Sequence, residues 1–123
     1  RLATPKIAIV TKPISYTSTS GQLLNQKAMN IGTRFFSMGK AHHAIPATGA
    51  IALATGACIA GTIPNLLASK PTDKNITIAH AAGLMELSIS VSEELKVSNA
   101  KIHRTARTLM RGEVLARLKI TSG

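Results

Sequence analysis

From Ala44 to Ala68 the chain carries no charged residue, and this run limits the folds open to it more than any other segment. A stretch of that length invites a membrane-spanning reading. Its composition argues against one. Pro46, Gly49, Gly56, Gly61 and Pro64 interrupt it, and most of the rest is Ala, Gly and Thr where a span would carry Leu, Ile and Val. A helix beginning near Thr48, apolar on all sides because other structure encloses it, fits better. Its small side chains would let strands approach closely. The expected environment is therefore aqueous, with no membrane partner and a cytoplasmic setting as the default.

The flanking segments supply what could enclose such a helix. KIAIVTK at 6–12 is β-branched, is closed by Pro13, and predicts a buried strand. ISYTSTSG at 14–21 is a polar loop in which Ser18 or Ser20 could cap the next element. From Gln22 to Phe36, apolar Leu24, Ala28, Ile31, Phe35 and Phe36 recur near helical spacing, which predicts an amphipathic helix leaving through Ser37-Met38-Gly39-Lys40, with Gly39 in a left-handed turn. SKPTDKN at 69–75 reads as a linker. Beyond it the period becomes two: ITIAH at 76–80, a turn at Ala82-Gly83, then Leu87, Ile89 and Val91 alternating with Glu86, Ser88, Ser90 and Ser92. Residues 97–110 fit a strand or a helix, and EVLARLKI at 113–120 alternates again. Together these predict an α+β domain, a mixed or antiparallel sheet packed with a central apolar helix.

At 123 residues the chain suits a single domain. With two Phe, one Tyr and no Trp, it lacks the stacking surfaces of a single-stranded nucleic-acid binder. The net charge of +10 points to anionic partners: carboxylate metabolites, acidic proteins or phosphate backbones. The lone Cys58 excludes an internal disulfide. An Arg at position 1 in place of Met suggests a start within a longer protein.

Candidate chemistry gathers where the apolar helix begins. The first-turn N–H groups of a helix lack internal partners and carry partial positive charge. Thr48, Gly49 and Ala50 could thus receive a carboxylate or phosphate, with Lys40, His42 and His43 just upstream as wall residues. The blander reading makes Thr48 an N-cap and Gly49 a packing position. Adjacent His42 and His43 point in different directions and have no neighbouring Asp, Glu or Cys, so a metal site is not expected. His80 and His103 have no partner evident in sequence. Cys58, inside the apolar helix, reads as a small hydrophobe. Arg104, Arg107, Arg111 and Arg117 could line a phosphate-binding face or simply a solvated one.

Three blocks, TPKIAIV at 4–10, SMGKAHHAIPATGAIALA at 37–54 and RTARTLMRGEV at 104–114, together resemble the PrpF-like 2-methylaconitate isomerase family, relatives of diaminopimelate epimerase. The resemblance spans nearly the whole chain but only the C-terminal part of a family member. It implies that 1–123 is one of two pseudo-symmetric modules, each a sheet curled round a central helix, with the active site between them. It further implies cofactor-independent allylic proton transfer in an aconitate-like di- or tricarboxylate. The catalytic residues would then belong to the N-terminal module, since Pro46 stands where related epimerases place a thiol. Substrate contacts would come from Lys40, His42, His43, Thr48, Gly49 and Ala50. The family's His-Pro-Ser-Gly turn matches His80-Ala81-Ala82-Gly83 at its ends only, leaving His80 as the candidate contact there. The implied partners are the N-terminal module and a small polycarboxylate, with a homodimer also considered. The alternative is a non-catalytic basic module that binds an acidic partner or nucleic acid.

Overall fold

Ile31, Thr33 and Phe35 are buried while Arg34 between the last two is exposed, and 31–37 is a strand where the apolar spacing predicted a helix. A β-branched pair at 31 and 33, adjacent aromatics at 35 and 36, and Gly32 between them all disfavour helix and suit a pleated surface. In the computed structural model, which describes residues 5–71 and 74–117, the predicted 22–36 helix is replaced by three pieces. These are strand β3 (Leu23–Leu24), a single 3-10 turn (Gln26–Ala28) capped by the Asn25 side chain, and strand β4 (Ile31–Ser37). Gly39 does adopt positive φ, at 72°, but in a tight hairpin with Met38 that joins β4 to β5 (Lys40–Ala41), not at a helix exit.

The remaining strands are β1 (Ile7–Thr11), β2 (Tyr16–Thr17), β6 (Asn75–His80), β7 (Gly83–Val91) and β8 (Val97–Ile102), and the helices are α1 (Ala47–Cys58) and α2 (Ile63–Leu67). The main sheet runs β1-β4-β6-β7-β8, with β5 also on β4, and β2 pairs β3 separately. All its pairings are antiparallel except β4 with β6, where Ile31 faces Ile78 and Gly32 faces Ala79. The predicted α+β class with a mixed sheet is therefore present.

A parallel pair needs a crossover, and α1 and α2 supply it. Helix α1 lies on one sheet face, burying Ala50, Leu53, Ala54 and Ala57 against Ile31, Phe35, Ile76, Ile78, Leu87 and Ile89. The i, i+3, i+4, i+7 spacing places these four on one stripe. Thr48, Ala52 and Cys58 remain exposed, so the described residues supply one wall for the helix and not the full enclosure its composition predicts. On the opposite face a smaller cluster of Leu24, Met29 and Ala79 packs with Tyr16.

Two further expectations fail. Strand β1 forms as predicted but as an exposed edge, because among the described residues only β4 pairs with it and neither helix covers Ile7 or Ile9. Of the ambiguous 97–110 segment only β8 is regular, and residues 103–117 have no helix or strand, so the strand expected at 113–120 is absent through 117 and its remaining residues lie outside the described ones. Among the described residues no helix is long and apolar enough to cross a membrane.

Ile78→Ala should cost roughly 2–5 kcal/mol in chemical denaturation, since Ile78 is wholly buried at the parallel pair. Ile7→Ala, at a side chain 54% exposed, should change stability by less than about 0.5 kcal/mol.

Candidate functional site

The sheet divides along one side of β4. Residues Ile31 and Gly32 pair with β6, Phe36 and Ser37 pair with β5, and between them His42 N–H reaches Phe35 O at 2.6 Å. At this division β6 ends in His80, and the chain leaving β5 passes through His42 and His43 into the first turn of α1. Parallel strands that part at their C-terminal ends form a natural crevice.

Lys40, His42 and His43 line one concavity of about 680 Å³, together with Lys6, Ser37, Met38, Ala41 and Pro46. Pro46 is also the N-cap of α1 and offers no side-chain cap, because proline has no polar side-chain atom. The first intrahelical bond is Ala50 N–H to Pro46 O at 2.9 Å. The N–H groups of Ala47, Thr48 and Gly49 precede it and have no intrahelical acceptor. Thr48 is exposed and lies inside the helix, so it is not the N-cap. Ala50 is fully buried with its N–H already engaged.

Phe35 joins the two halves of this region. Its ring meets the His42 ring edge to face, with centroids 6.4 Å apart. A Cβ placed on Gly49 would stand 2.8 Å from Phe35 Cε2, so the bare backbone at Gly49 lets helix and ring touch. Phe35 sets the helix start beside His42. Sequence reasoning missed it by assigning it to a helix face, although the alternation of Ile31, Thr33 and Phe35 was the available signal. Lys6 was likewise missed, since nothing local in sequence links it to 40–46.

His80 is 7% exposed on the sheet face that carries α1. Its Nδ1 accepts Ala82 N–H at 3.2 Å, so the neutral ring carries its hydrogen on Nε2. Burial lowers its pKa, and repulsion from Arg34, His43 and His42 lowers it further. His80 is therefore disfavoured as a cation by the charges around it. Lys40, His42 and His43 thus share a cavity, Gly49 packs on Phe35 beside His42 with Thr48 preceding it in the same turn, and His80 lies outside that lining, its protonation opposed by His43 and His42.

The other candidates lie elsewhere. Cys58 ends α1, about 15 Å along the axis from Thr48, and burial pushes its thiol pKa up. His103 Nε2 lies 3.2 Å from Ser88 Oγ on the opposite sheet face. Arg104, Arg107, Arg111 and Arg117 are exposed along an irregular segment and form no helical stripe. Among the described residues no three of His, Cys, Asp and Glu gather as a metal site.

The His80 shift has a definite pH signature. The unfolded imidazole, with its ordinary value of 6.5, takes up a proton before the folded one does. Stability from the neutral ring is full above that pH and falls as pH drops through and below it. Between pH 7.5 and 5, His80→Gln should lose less stability than wild type in thermal unfolding. A parallel decline would exclude His80 as the source.

The comparisons with known proteins agree on one family. The family described as PrpF protein matches residues 1–117. The 2-methyl-aconitate isomerase of Shewanella oneidensis is 38% identical over 117 residues, covering 93% of this chain and 30% of that protein. The 3-methylitaconate isomerase of Eubacterium barkeri is 32% identical over 91% of the chain and 30% of its own length. A crystal structure of methylitaconate-delta-isomerase superposes with a TM-score of 0.77 at 31% identity, covering 89% of this chain and 29% of that one. The chain thus spans about 30% of the length of the curated relatives it matches.

Proposed function

The chain belongs to the PrpF family, and from that premise we propose that it is the C-terminal module of an isomerase acting on aconitate-like di- or tricarboxylates. Two relatives are named for 2-methyl-aconitate and 3-methylitaconate, both small branched unsaturated acids. The observation that carries the reading is the meeting, at Phe35, of the uncapped first turn of α1 and the concavity of Lys40, His42 and His43.

In this reading the N–H groups of Thr48 and Gly49 each donate to one carboxylate oxygen, and Ala50 closes the turn beneath them. Lys40, His42 and His43 hold a second carboxylate. His80 offers Nε2–H to the acid from the end of β6. Removing a proton from the allylic carbon spreads negative charge into the conjugated carboxylate. Fixed N–H dipoles aimed there stabilise that charge and lower the barrier. The substrate's own conjugation is the electron sink, so the reaction as proposed calls on no cofactor. The groups that remove and return the proton are assigned to an N-terminal module. Pro46, beside the first turn, cannot act as acid or base.

Amide NMR titration of the chain with trans-aconitate at moderate salt tests this directly. Shifts should concentrate at Lys40–His43 and Thr48–Ala50. Shifts confined to 104–117 with an oligonucleotide, and none with the acid, would favour the basic-module reading, which draws on the exposed arginines there. Thr48→Pro deletes one N–H within a helical turn that tolerates proline. It should weaken acid binding roughly tenfold or more, the scale of a hydrogen bond to a charged group, while Thr48→Ala should change it little. Gly49→Val is the poorer probe, because its side chain would strike Phe35 whatever the ligand.

A further inference from the structure

Tyr16 is the only tyrosine in the chain, and no role for it follows from the proposed site. Its ring sits on the sheet face opposite α1, against the Leu24, Met29 and Ala79 cluster. The Arg34 guanidinium lies over it, 4.9 Å from the ring centre. Its hydroxyl donates to His80 O and, at 3.1 Å, to Gly83 O, the two ends of the turn between β6 and β7. Burial pushes the phenol pKa up while Arg34 pulls it down. The hydroxyl therefore remains a donor at neutral pH.

A second tie holds the same turn. Thr19 N–H donates to Ala81 O at 2.9 Å. Thr19 is itself set by a tight loop in which buried Ser18 bonds Gln22 through both backbone and hydroxyl. The carbonyls of His80, Ala81 and Gly83 are thus all held from the β2–β3 side. Within the turn so fixed, Ala82 N–H meets His80 Nδ1. That contact sets the tautomer and the ring orientation, because a donor aimed at Nδ1 disfavours a hydrogen there. The turn has no proline of its own and carries two alanines at its centre, so its shape depends on these outside contacts.

We propose that Tyr16 is a positioning residue for the carboxylate site: by bridging His80 O and Gly83 O it holds the β6–β7 turn in the one form that presents His80 Nε2–H to the acid. This rests on the carboxylate reading above. Tyr16 touches no substrate. It acts through the backbone from the far side of the sheet, and the ring of His80 is the group it aims.

The test uses Tyr16→Phe, which keeps the ring and its packing and removes both hydrogen bonds. The first readout needs no ligand: in Tyr16→Phe the NMR titration midpoint of His80 should move up toward the ordinary histidine value, while His103 stays fixed. The second is trans-aconitate affinity in wild type, Tyr16→Phe, His80→Gln and the double variant. Tyr16→Phe alone should weaken binding about threefold to tenfold, the scale of one net hydrogen bond. In the His80→Gln background it should add nothing, because residues that act through one group are not additive. An unmoved His80 titration, or losses that simply add, would overturn the positioning role. If Tyr16→Phe fails to fold, 3-fluorotyrosine at position 16 keeps the hydroxyl but changes its donor strength. It should then shift the His80 ring signals and leave those of His103 in place, and unchanged His80 signals overturn the role. Failure of the wild type to bind acid overturns the carboxylate reading. Normal acid binding with an unmoved His80 titration overturns the Tyr16 role alone.

Discussion

Only two residue pairs make up the parallel contact between β4 and β6, yet the rest of the architecture follows from them. Parallel neighbours cannot be joined by a hairpin, so the chain between Ser37 and Asn75 must cross a face of the sheet. That crossing contains the uncharged segment, and its helix is rich in alanine because it lies directly on the isoleucines of the pair. Ile31 and Ile78 are wholly buried beneath it. The same pairing ends where β6 stops at His80, and farther along β4 the strand β5 takes over that side before the chain enters α1. Core and candidate site therefore have one origin.

The sequence was most legible where a single period dominated. Strands β6 and β7 and their turn were predictable because Leu87, Ile89 and Val91 alternate cleanly with polar residues. The helix from 47 to 58 was predictable, with a start near Thr48, from its want of charge and its small apolar residues. Residues 22–36 misled because five apolar positions happened to suit a helical wheel, whereas Gly32 and the β-branched neighbours at 31 and 33 favoured a strand. A tertiary pairing with β6 and β1 settled the choice, and no local pattern reports on such a partner.

The site was legible in part for a related reason. Lys40, His42, His43 and Thr48 lie within nine residues, so a local motif brought them together. Contacts made across the sheet, such as Phe35 with Gly49 or Tyr16 with His80, join residues 14 and 64 positions apart and leave no trace in spacing. The turn at 80–83 shows the limit well. Its residue types suggested a weakened contact, and only the three-dimensional bracing from Tyr16 and Thr19 shows that the turn is nonetheless held.

The exposed outer edge of β1 has a practical consequence. No other described strand pairs with its outer backbone row, which with half-exposed Ile7 and Ile9 is a template on which another extended segment can pair. Lys6 and Lys12 bracket that strand, and charges so placed act as gatekeepers, because a second β1 pairing there would bring like charges into register. Pairing of two copies through this edge would therefore depend on ionic strength: dilute salt would keep them apart, and concentrated salt would remove the repulsion while leaving the apolar contact intact.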